Sequence, residues 1–166
     1  MAISQAMCTS FKVDILSGGH NFNTTNRALS SNTQDTFKIA LYTSSATLGD
    51  STAQYTAPTS GSADPTDTNE VTSTGTGYTT GGNTLTVGTI PQYTSTTAFL
   101  GFSNTSWSSA TITARGALIY NSSNSNKSVA VLDFGGDKTS TSGTFTINFP
   151  TADATSAIIR ITAPSP

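Results

Sequence analysis

The side chains that could perform acid–base or nucleophilic chemistry are few in this chain. It contains one histidine, His20, so a serine activated by histidine would have to use that residue. No serine occupies the glycine-flanked pattern that exposes a nucleophile on a sharp turn. His20 follows Gly18-Gly19 and precedes Asn21-Phe22. This setting favours a turn or interface imidazole, and we expect no enzymatic activity.

The carboxylates give the same result. Glu70 is the only glutamate, and it follows Asp64 and Asp67 in a polar segment. Glycan hydrolysis needs two carboxylates with separated pKa values, and calcium needs converging oxygen ligands. Residues 64–70 lack the glycine and the closing glutamate of a calcium loop, so a solvated acidic loop is favoured. Residues 133–137 likewise favour a turn over a metal site. We therefore predict no catalytic residue, no metal and no cofactor.

Arg115 and Trp107 carry more structural information. Arg115 lies in the middle of a strand-like segment and is followed by Gly116. This pattern predicts a β-bulge or a sheet edge, where the guanidinium meets a carboxylate or the backbone. Asp133 and Asp35 are the candidate partners within the chain, and an intersubunit contact is the alternative. Trp107 is expected either to cap the core or to lie in an interface.

The elements that would position these residues are mainly strands. Phe37, Ile39 and Leu41 occupy alternate positions of residues 36–43, which predicts a strand with these three side chains on one face and Lys38, Ala40 and Tyr42 on the other. Further strands, each bounded by Gly, Pro, Asn or Ser clusters, are predicted at 84–90, 97–102, 110–120, 128–134, 144–149 and 156–161. Tight hairpins are predicted at residues 121–127 and, through a Gly-Gly turn, at 135–138. The expected fold is all-β, an antiparallel β-sandwich or a jelly-roll-like barrel.

Two segments lie outside this strand pattern. Residues 1–34 are expected to form an N-terminal arm with a short helix at 11–16, which ends at a pair of glycines. Residues 35–166 are expected to form a single β domain. Within it, residues 44–83 are rich in serine and threonine and show no periodicity. A connection of that length predicts either disorder or a working surface loop.

Composition restricts the possible partners. The chain has 24 Ser and 33 Thr but only 10% charged residues, with a formal net charge of −2. No basic stripe is present to follow a phosphate backbone, which disfavours nucleic-acid binding. No apolar run reaches the roughly 18 residues of a membrane span. Cys8 is the only cysteine, and the first residues lack the features of a signal peptide. We therefore expect synthesis in a cytoplasm.

Several segments together resemble a known family. These are residues 35–43, 69–71, 77–82, 114–121 and 129–137, together with 11–22, which contains Gly-His-Asn-Phe. They resemble small virion structural proteins of tailed bacteriophages, over roughly residues 11–149. The resemblance implies a structural component of the particle with no catalytic residues, and it does not distinguish head from tail.

The favoured hypothesis is a capsid decoration or cement protein, made in the host bacterial cytoplasm and located in the virion. Its expected partners are the major capsid protein and neighbouring copies in a homo-oligomer. The expected contact elements are the arm and the 44–83 loop, with interface side chains Phe11, Ile15, His20, Phe22, Tyr55, Tyr78, Trp107 and Arg115. The alternative is a tail or tail-fibre receptor-binding module that recognises host surface glycan, with an aromatic stacking platform drawn from Tyr55, Tyr78, Tyr93 and Trp107.

Overall fold

The computed structural model describes residues 2–23, 33–56 and 69–162, which form an all-β sandwich-like fold with one short helix. The larger sheet has the strand order β1-β7-β6-β2-β3: Ala6–Met7, Lys127–Ile147, Thr105–Asn121, Phe37–Tyr42 and Asn83–Leu85. The smaller sheet has the order β4-β5-β8: Val87–Thr94, Thr97–Phe102 and Ile159–Thr162. All strand pairings are antiparallel, so the predicted fold class is confirmed.

Strand β2 is buried on both faces, which the alternation at residues 36–43 did not predict. On one face, the Phe37 ring stacks on Phe22, with 4.3 Å between ring centroids. On the other face, Ala40 and Tyr42 are also buried. Tyr120 pairs with Lys38 across the sheet, and Tyr55 stacks on Tyr120 at 4.3 Å. The chain beyond β2 therefore folds back and covers the face that carries Lys38, Ala40 and Tyr42.

Strands β6 and β7 form one long hairpin, and the turn predicted at residues 121–127 is confirmed. The second predicted hairpin, at 135–138, is wrong. β7 continues through this segment and pairs with β6 on both sides of it, at Gly116↔Asp133 and Ala114↔Lys138. Gly135 has φ 72°, and the glycines accommodate an irregularity within the strand. The predicted strands 128–134 and 144–149 thus belong mostly to one strand.

Other strand boundaries also differ from the predictions. The predicted strand 84–90 is divided at Thr86 between β3 and β4, which belong to different sheets. The strand predicted at 110–120 begins earlier, at Thr105, and so includes Trp107. The strand predicted at 97–102 agrees with β5, and the one predicted at 156–161 begins only at Ile159.

The N-terminal segment, residues 2–23, packs against the larger sheet of the same chain. The predicted helix is confirmed as α1, Thr9–Leu16. Ser17 caps its C-terminus, and Gly18 follows with a φ of 75°. β1 pairs with β7 at Ala6↔Val131, and the Cys8 N–H donates to the Val129 carbonyl at 3.1 Å. The side chains Ile3, Cys8, Phe11 and Phe22 belong to the same core as β2. The expected arm therefore contributes to the core in this structure.

The described parts of the 44–83 segment are packed against the sheet as well. Ala46, Leu48, Tyr55, Val71 and Tyr78 are all buried. The glycine at 82 allows the close approach, because a Cβ atom there would lie 1.7 Å from the Ile39 carbonyl oxygen, and its φ is 68°. Residues 44–56 and 69–83 are thus anchored to the sheet by these side chains, while many of their other side chains are exposed. Residues 57–68 lie outside the described part of the chain.

Candidate functional site

Glu70 is at the centre of a buried cluster that joins the 69–82 segment to the sheet. Its Oε1 accepts hydrogen bonds from the Tyr78 hydroxyl at 2.6 Å and from the Gly81 N–H at 2.6 Å. Its Oε2 accepts from the Tyr55 hydroxyl at 3.0 Å. The residue is only 9% exposed, so the expectation of a solvated carboxylate at Glu70 is wrong. Asp64 and Asp67, the other members of the candidate calcium run, lie outside the described residues.

The cluster extends from Glu70 into the central strands. The Tyr78 hydroxyl also accepts from the Leu41 N–H at 3.0 Å, and the Tyr120 hydroxyl donates to the Gly81 carbonyl at 2.8 Å. Burial raises the pKa of Glu70 above its ordinary value, although its three hydrogen-bond donors act in the opposite direction. Burial and the Glu70 charge raise the pKa values of Tyr78 and Tyr120. The tyrosines therefore remain protonated donors, and the cluster acts as a structural anchor.

A second buried cluster surrounds His20 and joins the N-terminal segment to the β6–β7 hairpin. The imidazole side chain is fully buried, and its ring centroid lies 4.9 Å from that of Phe11. Its Nδ1 lies 3.0 Å from the Asn121 Nδ2, while its Nε2 has no hydrogen-bond partner in the part of the chain that the structure describes. The Asp14 Oδ2 is 3.8 Å from Nε2. Burial lowers the pKa of His20, although Asp14 and Asp35 act in the opposite direction.

Charged and amide groups complete this cluster. Lys127 Nζ lies 2.5 Å from the Asp14 Oδ1, which links β7 to helix α1. Asp35 Oδ2 accepts from the Asn121 Nδ2 and from the Asn21 N–H, both at 2.7 Å. The Asn124 Nδ2 donates to the Gly19 carbonyl at 2.6 Å. The N-terminal segment is therefore attached to the hairpin by several polar contacts, and Asn121 and the His20 side chain are the most deeply buried groups among them.

The Arg115 prediction is confirmed in its geometry. The pairing of β6 with β7 shifts register between Ala114 and Gly116, and the extra residues, 134–137, form a bulge of β7 opposite Arg115. The Arg115 Nε donates to the Asp133 Oδ1 at 3.1 Å, so Asp133 is the partner and Asp35 is not. The Gly135 N–H also donates to this carboxylate, and together with Arg115 it lowers the pKa of Asp133. Both side chains of the pair remain partly exposed.

The outer edge of β7 divides into two parts at about residue 132. The first part is covered, because β1 pairs with Ala130 and Val131, and Gln54 forms a bridge with Lys127. From Asp133 to Ile147, no other strand among the described residues pairs with this edge. The side chains there are mostly hydroxyls and glycines, and most are exposed. We call residues 133–147 the open edge.

The open edge is strongly curved. The Phe134 and Phe145 ring centroids are 6.5 Å apart, whereas eleven residues of a straight strand span about 36 Å. Register shifts and left-handed residues, Gly135 and Ser142 (φ 48°), supply the bend. A cleft of about 480 Å³ lies along it, lined by Phe134, Lys138, Thr139, Thr144, Phe145, Thr146, Ile147 and Asn148. The curved backbone and its hydroxyl groups therefore face an accessible cleft.

Six of the eight side chains expected at an interface are core residues in this structure. Phe11, His20, Phe22, Tyr55, Tyr78 and Trp107 are each at most 8% exposed. Ile15 and Arg115 are partly exposed. Sequence reasoning assigned these aromatic residues to a surface because their buried partners lie far away in the chain. Of the four aromatic residues proposed as a stacking platform, only Tyr93 is exposed, so the platform is not formed.

Sequence reasoning missed the groups that organise both clusters. Asn121 is fully buried, and Glu70 and Asp14 are nearly so. The position of Glu70 as the sole glutamate, close to two tyrosines, was the available signal. In the described part of the chain, no three His, Cys, Asp or Glu side chains are grouped to hold a metal, and no helix is both long and apolar enough to cross a membrane.

Comparisons with protein-family models, with curated proteins and with solved structures found no match to this chain. No comparison therefore supports the resemblance to phage virion proteins, which stays a prediction from the sequence motifs.

Proposed function

We propose that this chain is a structural protein of a tailed-phage virion that decorates and braces the capsid through the open edge of β7. The single observation that supports the proposal best is this edge, residues 133–147, which pairs with β6 on one side and has no strand partner among the described residues on the other. Unpaired strand edges bind neighbouring polypeptides by adding main-chain hydrogen bonds. The sequence motifs supply the virion context.

The distribution of polar groups also supports a binding role. The buried titratable groups Glu70 and His20 contact other parts of the same chain. The open edge carries several exposed hydroxyls, and Ser, Thr and Gly make up most of residues 135–144. Many modest contacts of this kind become strong when a protein is repeated across a shell. The curvature limits the length of a straight partner strand, so short segments of a neighbour are the expected contacts.

The receptor-binding alternative receives less support from the geometry. A glycan platform needs exposed aromatic rings, and Tyr55, Tyr78 and Trp107 are in the core. Binding to a glycan array above background, lost on substitution of Tyr93, would favour it over capsid decoration.

The first test is the copy number in purified virions, measured against the major capsid protein. A ratio near one, or a simple fraction set by shell symmetry, is expected. A dozen copies or fewer would overturn the capsid assignment and place the protein on the tail. Particles lacking the protein should release their DNA at a lower temperature, and equal stability would contradict a bracing role.

A second test addresses the open edge itself. Charged side chains on a strand edge oppose pairing with another strand. The double variant T141K/T144K should bind capsids that lack the protein at least tenfold more weakly than the wild type. The matched control T94K/T96K adds two lysines at exposed positions of the β4–β5 hairpin in the smaller sheet and should bind nearly normally. Equal binding by all three proteins would exclude the open edge as the contact.

A further inference from the structure

The tautomer of His20 follows from the contacts of Asn121. The Asn121 Oδ1 accepts from the Ser123 N–H at 3.0 Å, and its Nδ2 donates to Asp35 at 2.7 Å. A flipped amide would place two donors together at Ser123 and two acceptors together at Asp35. The amide orientation is thus fixed, and Nδ2 must donate its second hydrogen to the His20 Nδ1. His20 is therefore neutral, with its proton on Nε2.

Protonation of His20 is incompatible with this arrangement. The imidazolium carries hydrogens on both nitrogens, so Nδ1 would become a donor facing the donor Nδ2 of Asn121. The charge would also lie in a site with no exposed surface, next to the Phe11 ring. Among the described residues, the charged groups that face the ring are Asp14 on α1, Asp35 before β2 and Lys127 on β7. Asp14 already pairs with Lys127, and its Oδ2 lies 3.8 Å from the His20 Nε2. Its carboxylate would therefore offset the charge of the imidazolium only in part.

We propose that His20 is an acid-sensitive latch, and that its protonation releases residues 2–23 from β7. The segment is held near His20 by Asn121, Asn124 and Lys127, and further away by β1 and the Cys8 N–H. Release uncovers Val129, Ala130 and Val131, and so extends the open edge toward the start of β7. The latch would therefore couple mild acid to the exposure of a strand edge. This inference does not depend on the virion assignment.

The direction of the pH effect follows from linkage. The pKa of His20 is lowered in the folded chain from an ordinary value of 6.5. Its contribution to stability is thus fully present above pH 6.5 and is lost as the pH falls toward the folded pKa. Between pH 7.5 and 5.0, this loss can reach about thirtyfold in the equilibrium for release, because the limit is tenfold per pH unit below pH 6.5.

Nuclear magnetic resonance of the histidine-labelled chain tests the latch directly, because His20 is the only histidine. The expected spectrum at pH 7.5 is that of the Nε2-protonated tautomer, with a titration midpoint below 6.5. Hydrogen exchange, corrected for intrinsic rates, should accelerate at the Cys8 and Asn21 amides between pH 7.5 and 5.0, by up to about thirtyfold. The Leu41 amide, which is bonded to Tyr78, should keep its protection. A midpoint at or above 6.5, or unchanged N-terminal protection, would overturn the proposal.

The variant H20N provides a matched control. Its side-chain oxygen can accept from Asn121 near the position of Nδ1, but it does not titrate. The N-terminal amides of H20N should be less protected overall and should respond equally at pH 7.5 and 5.0. A response to acid as large as in the wild type would assign the effect to another group. The wild-type spectra decide the question even if H20N does not fold.

Discussion

The Glu70 cluster and the His20 cluster both join a segment outside the sheet to the central strands, but they differ in how completely their polar atoms are paired. Both carboxylate oxygens of Glu70 accept hydrogen bonds, three in total. One nitrogen of His20 is bonded, and the other has no hydrogen-bond partner among the described residues. Each side chain carries a charge in one protonation state and is buried. The comparison shows how similar burial can yield a firm anchor in one place and a sensitive contact in another.

The two clusters also respond to acid in opposite directions. The raised pKa of Glu70 means that the folded chain binds a proton there more tightly than the unfolded chain. Its contribution to stability therefore increases as the pH falls through the folded pKa toward 4.5. The lowered pKa of His20 means that its contribution to stability is lost as the pH falls below 6.5. Mild acid should thus loosen the N-terminal segment while the 69–82 segment stays attached.

Removal of the Glu70 carboxylate should have the largest effect on stability. E70A leaves three buried donors without their acceptor, and each such group costs about 1–3 kcal/mol. We expect a loss of about 3–5 kcal/mol in the free energy of unfolding, measured by urea denaturation. The control D137A removes an exposed carboxylate and should change stability by less than about 0.5 kcal/mol. A loss below 1 kcal/mol in E70A would contradict the anchoring role.

Substitution of Tyr78 should weaken the same cluster by a smaller amount. Y78F removes a hydroxyl that donates to Glu70 and accepts from the buried Leu41 N–H. We expect a loss of about 2–3 kcal/mol, because two buried groups lose their partner. Y93F makes the same chemical change at a side chain that is 81% exposed, and it should be nearly neutral. Equal stability of the two variants would show that the Tyr78 hydroxyl contributes little.

The predictions that succeeded depended on neighbouring residues in the chain. The glycine stop after α1 and the bulge at Arg115 are local patterns, and only the charge of Asp133 had to be found elsewhere. The Gly135-Gly136 error shows where local information ends. The same two glycines can reverse a chain or bend a strand, and the deciding factor is that β6 is long enough to pair on both sides of them.

Burial by distant segments explains the other failures. Tyr55, thirteen residues after Tyr42, stacks on Tyr120 and so covers the second face of the sheet at β2. The alternation of residues within β2 gives no sign of this contact. Glu70 lies in a polar stretch, so its type predicted solvent exposure. Its donors come from Tyr55, Tyr78 and Gly81, which the fold brings together. The candidate site was therefore less predictable than the strands, because it is built from long-range contacts.

Replacement of the Glu70 carboxylate by an uncharged amide of similar shape should separate the pH response of Glu70 from that of His20. E70Q keeps an oxygen near the Tyr78 hydroxyl and the Gly81 N–H but does not titrate, so its stability loss at pH 7.5 should be smaller than that of E70A. On acidification to pH 5.0, E70Q lacks the gain from Glu70 and retains the loss from His20. Its unfolding free energy should therefore fall more steeply than that of the wild type. Identical pH profiles would show that Glu70 does not titrate differently in the two states.

The smallest expected effect concerns Lys127, and it tests the His20 side of the comparison alone. Lys127 pairs with Asp14, but its side chain is 37% exposed, so K127M should cost at most about 1 kcal/mol. Lys127 also lowers the pKa of His20, and its removal leaves Asp14 available to the imidazolium. The titration midpoint of His20 should therefore rise, and the acid-induced loss of N-terminal protection should shrink. K12M removes the same charge from an exposed position on α1 and should leave the midpoint unchanged. Because both variants alter the net charge equally, a shift confined to K127M would assign the effect to the contact with Asp14, while equal shifts would reduce it to a general effect of charge.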